Sequence, residues 1–430
     1  MATFNLEADL KARGLVFQQT DDELFTRLEA QPTSVYCGFD PTADSLHVGN
    51  LLMLCTLRRF QMAGHRPIAL AGGATGMVGD PGGRSEERNL LDADQLSANL
   101  SGIKVQLAKF LDFTDAAGTA KAVQLDNASW LGGMSILTFL RDVGKHFTVN
   151  EMVAKDSVKS RFERPDHGIS YTEFSYMLLQ AADFLHLYKN EGCTVQIGGS
   201  DQWGNITMGT SLIRKVTGGL SAGVTMPLVT KADGTKFGKS VDGAVWLDRN
   251  RTSPYQLFQF FVGADDQMVG AYLRFFTFLD LEEIARLDAE TKEHPERREA
   301  QRALAFEVTS LVHSREDATR AEAASVALFS GTLAQLDLST LKSVIDDVPN
   351  SSLDRFKFMN IRIDVVALMV ETGLVRSKAE ARRSIEQGGF YVNDQRVTDA
   401  ERTLTWSDCL YDSYLVLRKG RRQYHVVIVQ

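Results

Sequence analysis

"SVYCGF" at 34–39, "PIALAGG" at 67–73 and "TVQIGGSD" at 194–201 are short apolar runs that each give way to small or acidic residues. Between the first two, Leu51, Leu54 and Leu57 recur on one side of a segment reaching Phe60, the spacing of a helix. Strand, Gly-rich turn, helix, strand is the grammar of a parallel, doubly wound sheet, since parallel neighbours need a crossover between them. Such sheets take their ligands beyond the C-terminal ends of the strands. Here those ends carry Gly38 and Asp40, then Gly72, Gly73 and Asp80, then Gly198, Gly199 and Asp201. An α/β fold is expected in which they line one pocket.

At 430 residues the chain is long for one domain. From about residue 250 to 330 the texture turns helical without strand signals. Phe258, Phe260, Phe261, Phe275, Phe276 and Phe278 lie on the apolar sides of these helices, so they read as core and not as a base-stacking surface. The polar, proline-containing stretch 346–360 suits a linker. After it, "VVALMVETG" and "SKAEARRSIEQGG" read as short helices closed by glycines, with Ser377 and Glu380 in capping-box spacing. "FYVNDQRV" then reads as a hairpin turning at Asn393-Asp394. Lys378, Arg382 and Arg383, with the "LRKGRRQYH" tail, make this terminal unit basic on a chain of net charge -8. That overall charge argues against bulk nucleic-acid binding but leaves room for a local basic face.

Four scattered cysteines, Cys37, Cys55, Cys193 and Cys409, argue against a disulfide framework or a zinc site and suit a reducing compartment. No apolar run reaches membrane-spanning length, and the first residues resemble no secretory signal, so a cytoplasmic protein is expected.

Within "PTADSLHVGNLL", His47 and Asn50 sit where a helix begins. A helix N-terminus presents unpaired N–H groups and partial positive charge, so it attracts phosphate, and both side chains would reach the same anion. Gly49, lacking a Cβ, would let a flat base lie against the backbone. Far downstream, "KADGTKFGKS" at 231–240 places Lys236 and Lys239 around a glycine, a pattern suited to closing over a polyphosphate. Either piece alone recurs by chance; the pair is far more specific.

At these residues the chain resembles the class I aminoacyl-tRNA synthetases, with HVGN for HIGH and KFGKS for KMSKS. More narrowly it resembles bacterial-type tyrosyl-tRNA synthetases. "YCGFDPTADSLHVGN", "GGATGMVGDP", "FLRDVGKHFTVN", "FSYMLLQAADF", "QIGGSDQWGNI" and "PLVTKADGTKFGKS" follow that family's pattern in order, across nearly the whole chain.

The resemblance implies a Rossmann-like catalytic domain over 1–230, and the KFGKS loop with a helical anticodon-recognition domain over 231–335. A linker over 336–361 and an S4-like α+β RNA-binding domain over 362–430 would follow. It implies that L-tyrosine is activated with ATP, accompanied by Mg²⁺, to tyrosyl-adenylate and then transferred to tRNA(Tyr). Tyr36 and Asp183 would bind the phenolic hydroxyl, and Asp80, Tyr176 and Gln180 the α-ammonium, with Gln196 and Gln202 in support. His47, Asn50, Lys236, Lys239 and Ser240 would serve the phosphates, with Arg84 and Arg88 near pyrophosphate. Cys37, Gly38, Asp40, Gly49, Gly199, Asp201, Leu228 and Val229 would line the ATP site. No dedicated metal cage is visible. A homodimer is implied, with its interface near 139–150. Two rivals are a tryptophan-specific sister enzyme, opposed by Tyr36 with Asp183, and an RNA-binding paralogue without catalysis. Asn50 motivates the second rival, and the intact lysine loop opposes it.

Overall fold

The computed structural model describes residues 4–80, 93–155, 158–159, 168–235, 237–240, 243–330, 332–345, 348–356, 363–420 and 423–430. The chain divides into two compact units, Met1–Arg251 with Asp265–Ala300, and Thr252–Ala264 with Gln301–Gln430.

The first unit is built on a six-stranded sheet. Its strands are β1 (Gln18–Gln19), β2 (Ser34–Phe39), β3 (Arg66–Ala71), β4 (Val123–Asp126), β5 (Cys193–Gly199) and β6 (Ala222–Met226), in spatial order β1-β6-β5-β2-β3-β4. Five strands are parallel. The exception is the two-residue edge strand β1, which pairs antiparallel with β6. The chain winds outward from β2 in both directions, so the crevice between β2 and β5 is the switch point where such sheets bind ligands. Tyr36 and Gln196 are paired in register across that crevice.

The helix Tyr171–Glu191 starts at Ser170, whose side chain accepts the Glu173 N–H, and ends at left-handed Gly192. Tyr176, Gln180, Asp183 and Leu187 recur every three or four residues and so share one face. It packs with the helix Trp203–Thr217, and Phe184, Leu187, Met208, Leu212 and Ile213 join Tyr36 and Ile68 in one buried cluster. The helix Leu51–Met62 is buried on nearly every side, Thr56 and Arg59 included, which suits the apolar run that opens it. β7 (Lys239–Ser240) and β8 (Gly243–Ala244) form a short antiparallel pair.

The second unit holds β9 (Asn350–Leu353), β10 (Ile363–Asp364), β11 (Phe390–Val392), β12 (Gln395–Arg396), β13 (Thr403–Leu404), β14 (Tyr414–Lys419) and β15 (Gln423–Val429). Five of them form one sheet, ordered β12-β11-β14-β15-β9. Alternate residues of the long strands enter different cores. Tyr414, Val416, Tyr424 and Val426 pack with Ala324, Leu333, Leu341 and Ile345, whereas Leu415, Leu417, Val427 and Val429 pack with Val366, Met369, Ile385 and Phe390. Burial on both faces is why "YLVL" and "HVVIV" read as continuous apolar runs.

The stretch expected to be a linker is therefore structured in part. Leu338–Ile345 is a helix, and β9 adds to the sheet parallel to β15. The hairpin turns at Asn393 and Asp394, both left-handed at φ 49° and 62°, as a tight turn matching strand twist requires. Phe258, Phe261 and Phe276 are fully buried.

Candidate active site

Two hydrogen-bonded networks meet at the β2–β5 crevice. The first centres on Asp183, which is buried. Its Oδ1 accepts from Trp130 Nε1 at 2.8 Å and its Oδ2 from Asn127 Nδ2 at 2.9 Å. Asn127 also donates to Thr75 Oγ1 at 2.9 Å, Thr75 donates to Asp40 Oδ1 at 3.2 Å, and Tyr176 Oη donates to Asp40 Oδ2 at 3.1 Å. Burial pushes the Asp183 carboxyl up to about 7, although its two donors favour the ionised form. The Trp130 indole is itself held, stacked on the His186 ring with centroids 4.1 Å apart.

The second network runs through amides. Gln202 Nε2 donates to Asp80 Oδ2 at 2.5 Å, and Asn205 Nδ2 donates to Gln180 Oε1 at 3.0 Å and Gln202 Oε1 at 3.1 Å. Asp80, Gln180 and Gln202 thus share a chain of contacts that Asn205 completes.

Two buried polar atoms beside these networks lack a hydrogen-bond partner among the described residues: Tyr36 Oη and Gln196 Oε1. Burial, then the neighbouring Asp183 carboxylate, raises the Tyr36 phenol well above its ordinary value, so it stays protonated. Orphaned groups at a switch point are the mark of a ligand site, because an unpaired buried polar atom costs about 1–3 kcal/mol.

The phosphate-type motifs converge nearby. His47 caps the short turn Val48–Asn50: its Nδ1 accepts the Gly49 N–H at 3.0 Å, while Asn50 Oδ1 accepts the His47 N–H at 3.1 Å. With Nδ1 accepting from Gly49, a neutral ring carries its proton on Nε2. A Cβ on Gly49 would lie 2.7 Å from the imidazole, so this glycine makes room for the histidine ring itself. Gly238, left-handed at φ 99°, packs so closely that a Cβ there would meet the Gly49 nitrogen at 3.3 Å. HVGN and KFGKS are therefore in contact through their backbones. Phe237 is wedged against Tyr272 and Phe276, at centroid distances of 4.7 and 5.4 Å, and Tyr272 Oη donates to the Thr230 carbonyl at 2.7 Å.

Among the remaining candidates, Cys37 is buried at the end of β2, and burial pushes its thiol up to about 12. Gly38, Asp201 and Leu228 are exposed, and Val229 is half-buried. A Cβ on Gly199 would lie 2.6 Å from Asp201 Oδ1. Lys236, Arg84 and Arg88 lie outside the described residues; Lys239 and Ser240 are described as the strand β7 only. Sequence alone gives no signal for Thr75, Asn127, Trp130 and Asn205, neutral side chains that carry neither a charge nor a metal-ligating or nucleophilic pattern. Among the described residues no group of three His, Cys, Asp or Glu side chains could hold a metal ion, and no helix is long and apolar enough to cross a membrane.

Residues 28–330 match the family model of class I tRNA synthetases (W and Y), and residues 340–427 that of the tyrosine–tRNA ligase SYY-like C-terminal domain. The tyrosine–tRNA ligase of Opitutus terrae is 53% identical over 420 residues, 97% of this chain and 98% of that one. The tyrosine–tRNA ligase of Bacillus caldotenax is 51% identical over 425 residues, 98% and 99% of the two chains. This chain belongs to the tyrosine–tRNA ligase family. A C-terminally truncated mitochondrial tyrosyl-tRNA synthetase of Aspergillus nidulans superposes with a TM-score of 0.68 at 34% identity, covering 76% of this chain and 94% of that one. The tryptophanyl-tRNA synthetase of Plasmodium falciparum shares the fold at a TM-score of 0.52 and 14% identity, covering 78% and 87%. Architecture alone does not separate tyrosine from tryptophan enzymes; in this family the side chains of the crevice must do so.

Proposed function

We infer that the chain is a tyrosine–tRNA ligase that forms tyrosyl-adenylate from L-tyrosine and ATP and then esterifies tRNA(Tyr). The observation that carries this reading is the orphaned Tyr36 Oη beside the doubly anchored Asp183 carboxylate. A phenol donates its proton to Asp183 while accepting from Tyr36, satisfying both. An indole N–H can only donate and so serves just one of the two groups, and a phenyl ring serves neither, leaving Tyr36 unpaired.

In this reading the tyrosine ammonium is held by Asp80, Tyr176 and Gln180, with Gln196 and Gln202 fixing their orientation. The substrate's carboxylate is already an anion, so its in-line attack on the α-phosphate needs no side-chain nucleophile. Catalysis is positioning together with stabilisation of phosphate charge. His47 contributes its Nε2–H, Asn50 its free amide N–H bonds, and Lys236, Lys239 and Ser240 close from the other motif, with Arg84 and Arg88 toward pyrophosphate. Cys37, Gly38, Asp40, Gly49, Gly199, Asp201, Leu228 and Val229 face ribose and adenine. Mg²⁺ enters on the ATP phosphates.

The domain roles are proposed likewise: catalysis over 1–230, anticodon recognition by the helices of 231–335, and RNA contact by the S4-like region from 362. Ile136, Leu137, Leu140 and Val149 are exposed apolar side chains on neighbouring elements, and they support a homodimer interface near 139–150. A Leu137→Glu chain should weigh as a monomer by light scattering; a persistent dimer would move the interface elsewhere. The cytoplasm is the proposed location. Charging of a tRNA(Tyr) transcript with labelled tyrosine tests the whole reading, and failure to form the ester with active adenylate present would reject the second step.

A further inference from the structure

The HVGN histidine must keep one ring plane to present Nε2 to a phosphate. The Gly49 N–H on Nδ1 sets which nitrogen accepts. A support for the ring's placement comes from the segment following KFGKS. Leu247 N–H donates to the Leu46 carbonyl at 2.8 Å and Val48 N–H to the Val245 carbonyl at 3.0 Å, so His47 and Trp246 face each other in an isolated antiparallel bridge. Their rings lie 6.2 Å apart, tilted by 56°. The Arg251 guanidinium sits 3.6 Å from the centroid of the Trp246 ring, and Arg251 in turn pairs with Asp44 at 2.5 Å. Val245 N–H also donates to the Gly238 carbonyl at 3.1 Å, which joins this bridge to the lysine segment itself.

We propose that Trp246 is a positioning residue for His47, with Arg251 acting through it by holding the indole. The row Asp44–Arg251–Trp246–His47 transmits the placement of the KFGKS segment to the HVGN histidine. A cation–π contact is strong enough to bias a ring between orientations without being needed for folding. No group in the row other than His47 is asked to touch ATP. The proposal rests on the adenylate-forming function given above.

A double-mutant cycle in the full-length chain tests it, read by single-turnover adenylate formation at saturating ATP and tyrosine. Trp246→Leu should slow the step about tenfold when His47 is present and less than about twofold in a His47→Ala background, because removing the residue it positions removes its effect. Trp246→Phe, which retains a ring, should recover most of the rate. Tyrosine affinity by equilibrium dialysis should stay unchanged throughout. The same loss in both backgrounds would overturn the proposal. Arg251→Ala, at a partly exposed position, provides the same cycle if Trp246→Leu does not fold, with an expected loss of about threefold. A second readout needs no activity: histidine ¹⁵N spectra of the ligand-free chain, with the His47 signal assigned by its loss in His47→Ala. The parent should show one sharp set of His47 ring signals, and Trp246→Leu broadened or multiple ones as the ring samples more than one plane. An unaltered His47 signal would overturn the proposal even if the chain made no adenylate, so the two readings fail separately.

Discussion

Asn50 does two things that a substitution can separate. Its Oδ1 caps the turn at His47, while its amide N–H bonds are the donors proposed to meet phosphate. Asn50→Ala loses both and should slow adenylate formation about tenfold, roughly 1.4 kcal/mol. Asn50→Asp keeps the capping oxygen but sets an anion where phosphate binds, so it should be slower than the alanine variant. An aspartate variant as fast as the parent would mean that Asn50 only caps. Asp183 makes a pH prediction. Its carboxyl is pushed up to about 7 by burial, so the ionised acceptor is lost as pH falls through about 7, and kcat/KM for tyrosine should fall with it. In stability the sign is opposite. The folded chain holds this proton between about 4 and 7 while the unfolded chain has released it, so the contribution of Asp183 declines as pH rises across that window. Asp183→Asn should flatten both profiles, by rate measurements and by urea unfolding from pH 4.5 to 8. At this scale the motifs made Tyr36, Asp80, Tyr176, Gln180 and Asp183 legible as positions. They did not reveal Asn127 or Trp130, which reach Asp183 only because β4 and the turn after it fold against the same helix.

Elements were legible where their periodicity was strong. β2, β3 and β5 and the helix after HVGN stand within a residue or two of their apolar runs. β4 and β6 are short and have no glycine-rich ending, and β9 is a polar edge strand, "NSSL", half turned to solvent, so pattern alone gave them no signal. Hidden most completely was the anchor of the helix Asp266–Phe276. Asp9 pairs with Arg13 at 2.7 Å and with Arg59 at 3.1 Å. The two guanidiniums bind carbonyls at and just past that helix's end: Arg59 donates to Arg274 at 3.3 Å and to Thr277 at 2.6 Å, and Arg13 to Leu279 at 2.8 Å. Arg59 is fully buried, and a buried ion that loses its partner costs about 3–5 kcal/mol. Asp9→Asn should therefore lower unfolding free energy by roughly 3 kcal/mol in urea titration. A change under about 1 kcal/mol would mean that the carbonyls alone satisfy both arginines.

On the scale of the whole molecule, the second unit changes how RNA binding should be probed. Truncation near residue 362 would strip β14 and β15 from Leu333 and Leu341 and leave β9 without its partner, confounding lost contacts with a broken core. The basic residues also divide. Lys378, Arg382 and Arg383 are exposed on one helix, whereas Arg418 stacks on Tyr391 at 3.7 Å and Lys419 pairs with Glu380 at 2.7 Å. Arg421 and Arg422 lie outside the described residues. Replacing Lys378, Arg382 and Arg383 together by glutamine should weaken tRNA binding and reduce its salt dependence, by about one unit of log–log slope per lost phosphate contact. Adenylate formation should be unaffected; an unchanged salt slope would clear this face of RNA contact.

The central claim is that the crevice selects a phenol, and tyrosine-dependent ATP–pyrophosphate exchange tests it most directly. The chain should exchange with tyrosine and be at background with phenylalanine and with tryptophan, and Asp183→Asn should lose about a hundredfold in kcat/KM for tyrosine, roughly 2.7 kcal/mol. Exchange as fast with tryptophan as with tyrosine, or a parent rate for Asp183→Asn, would contradict the account.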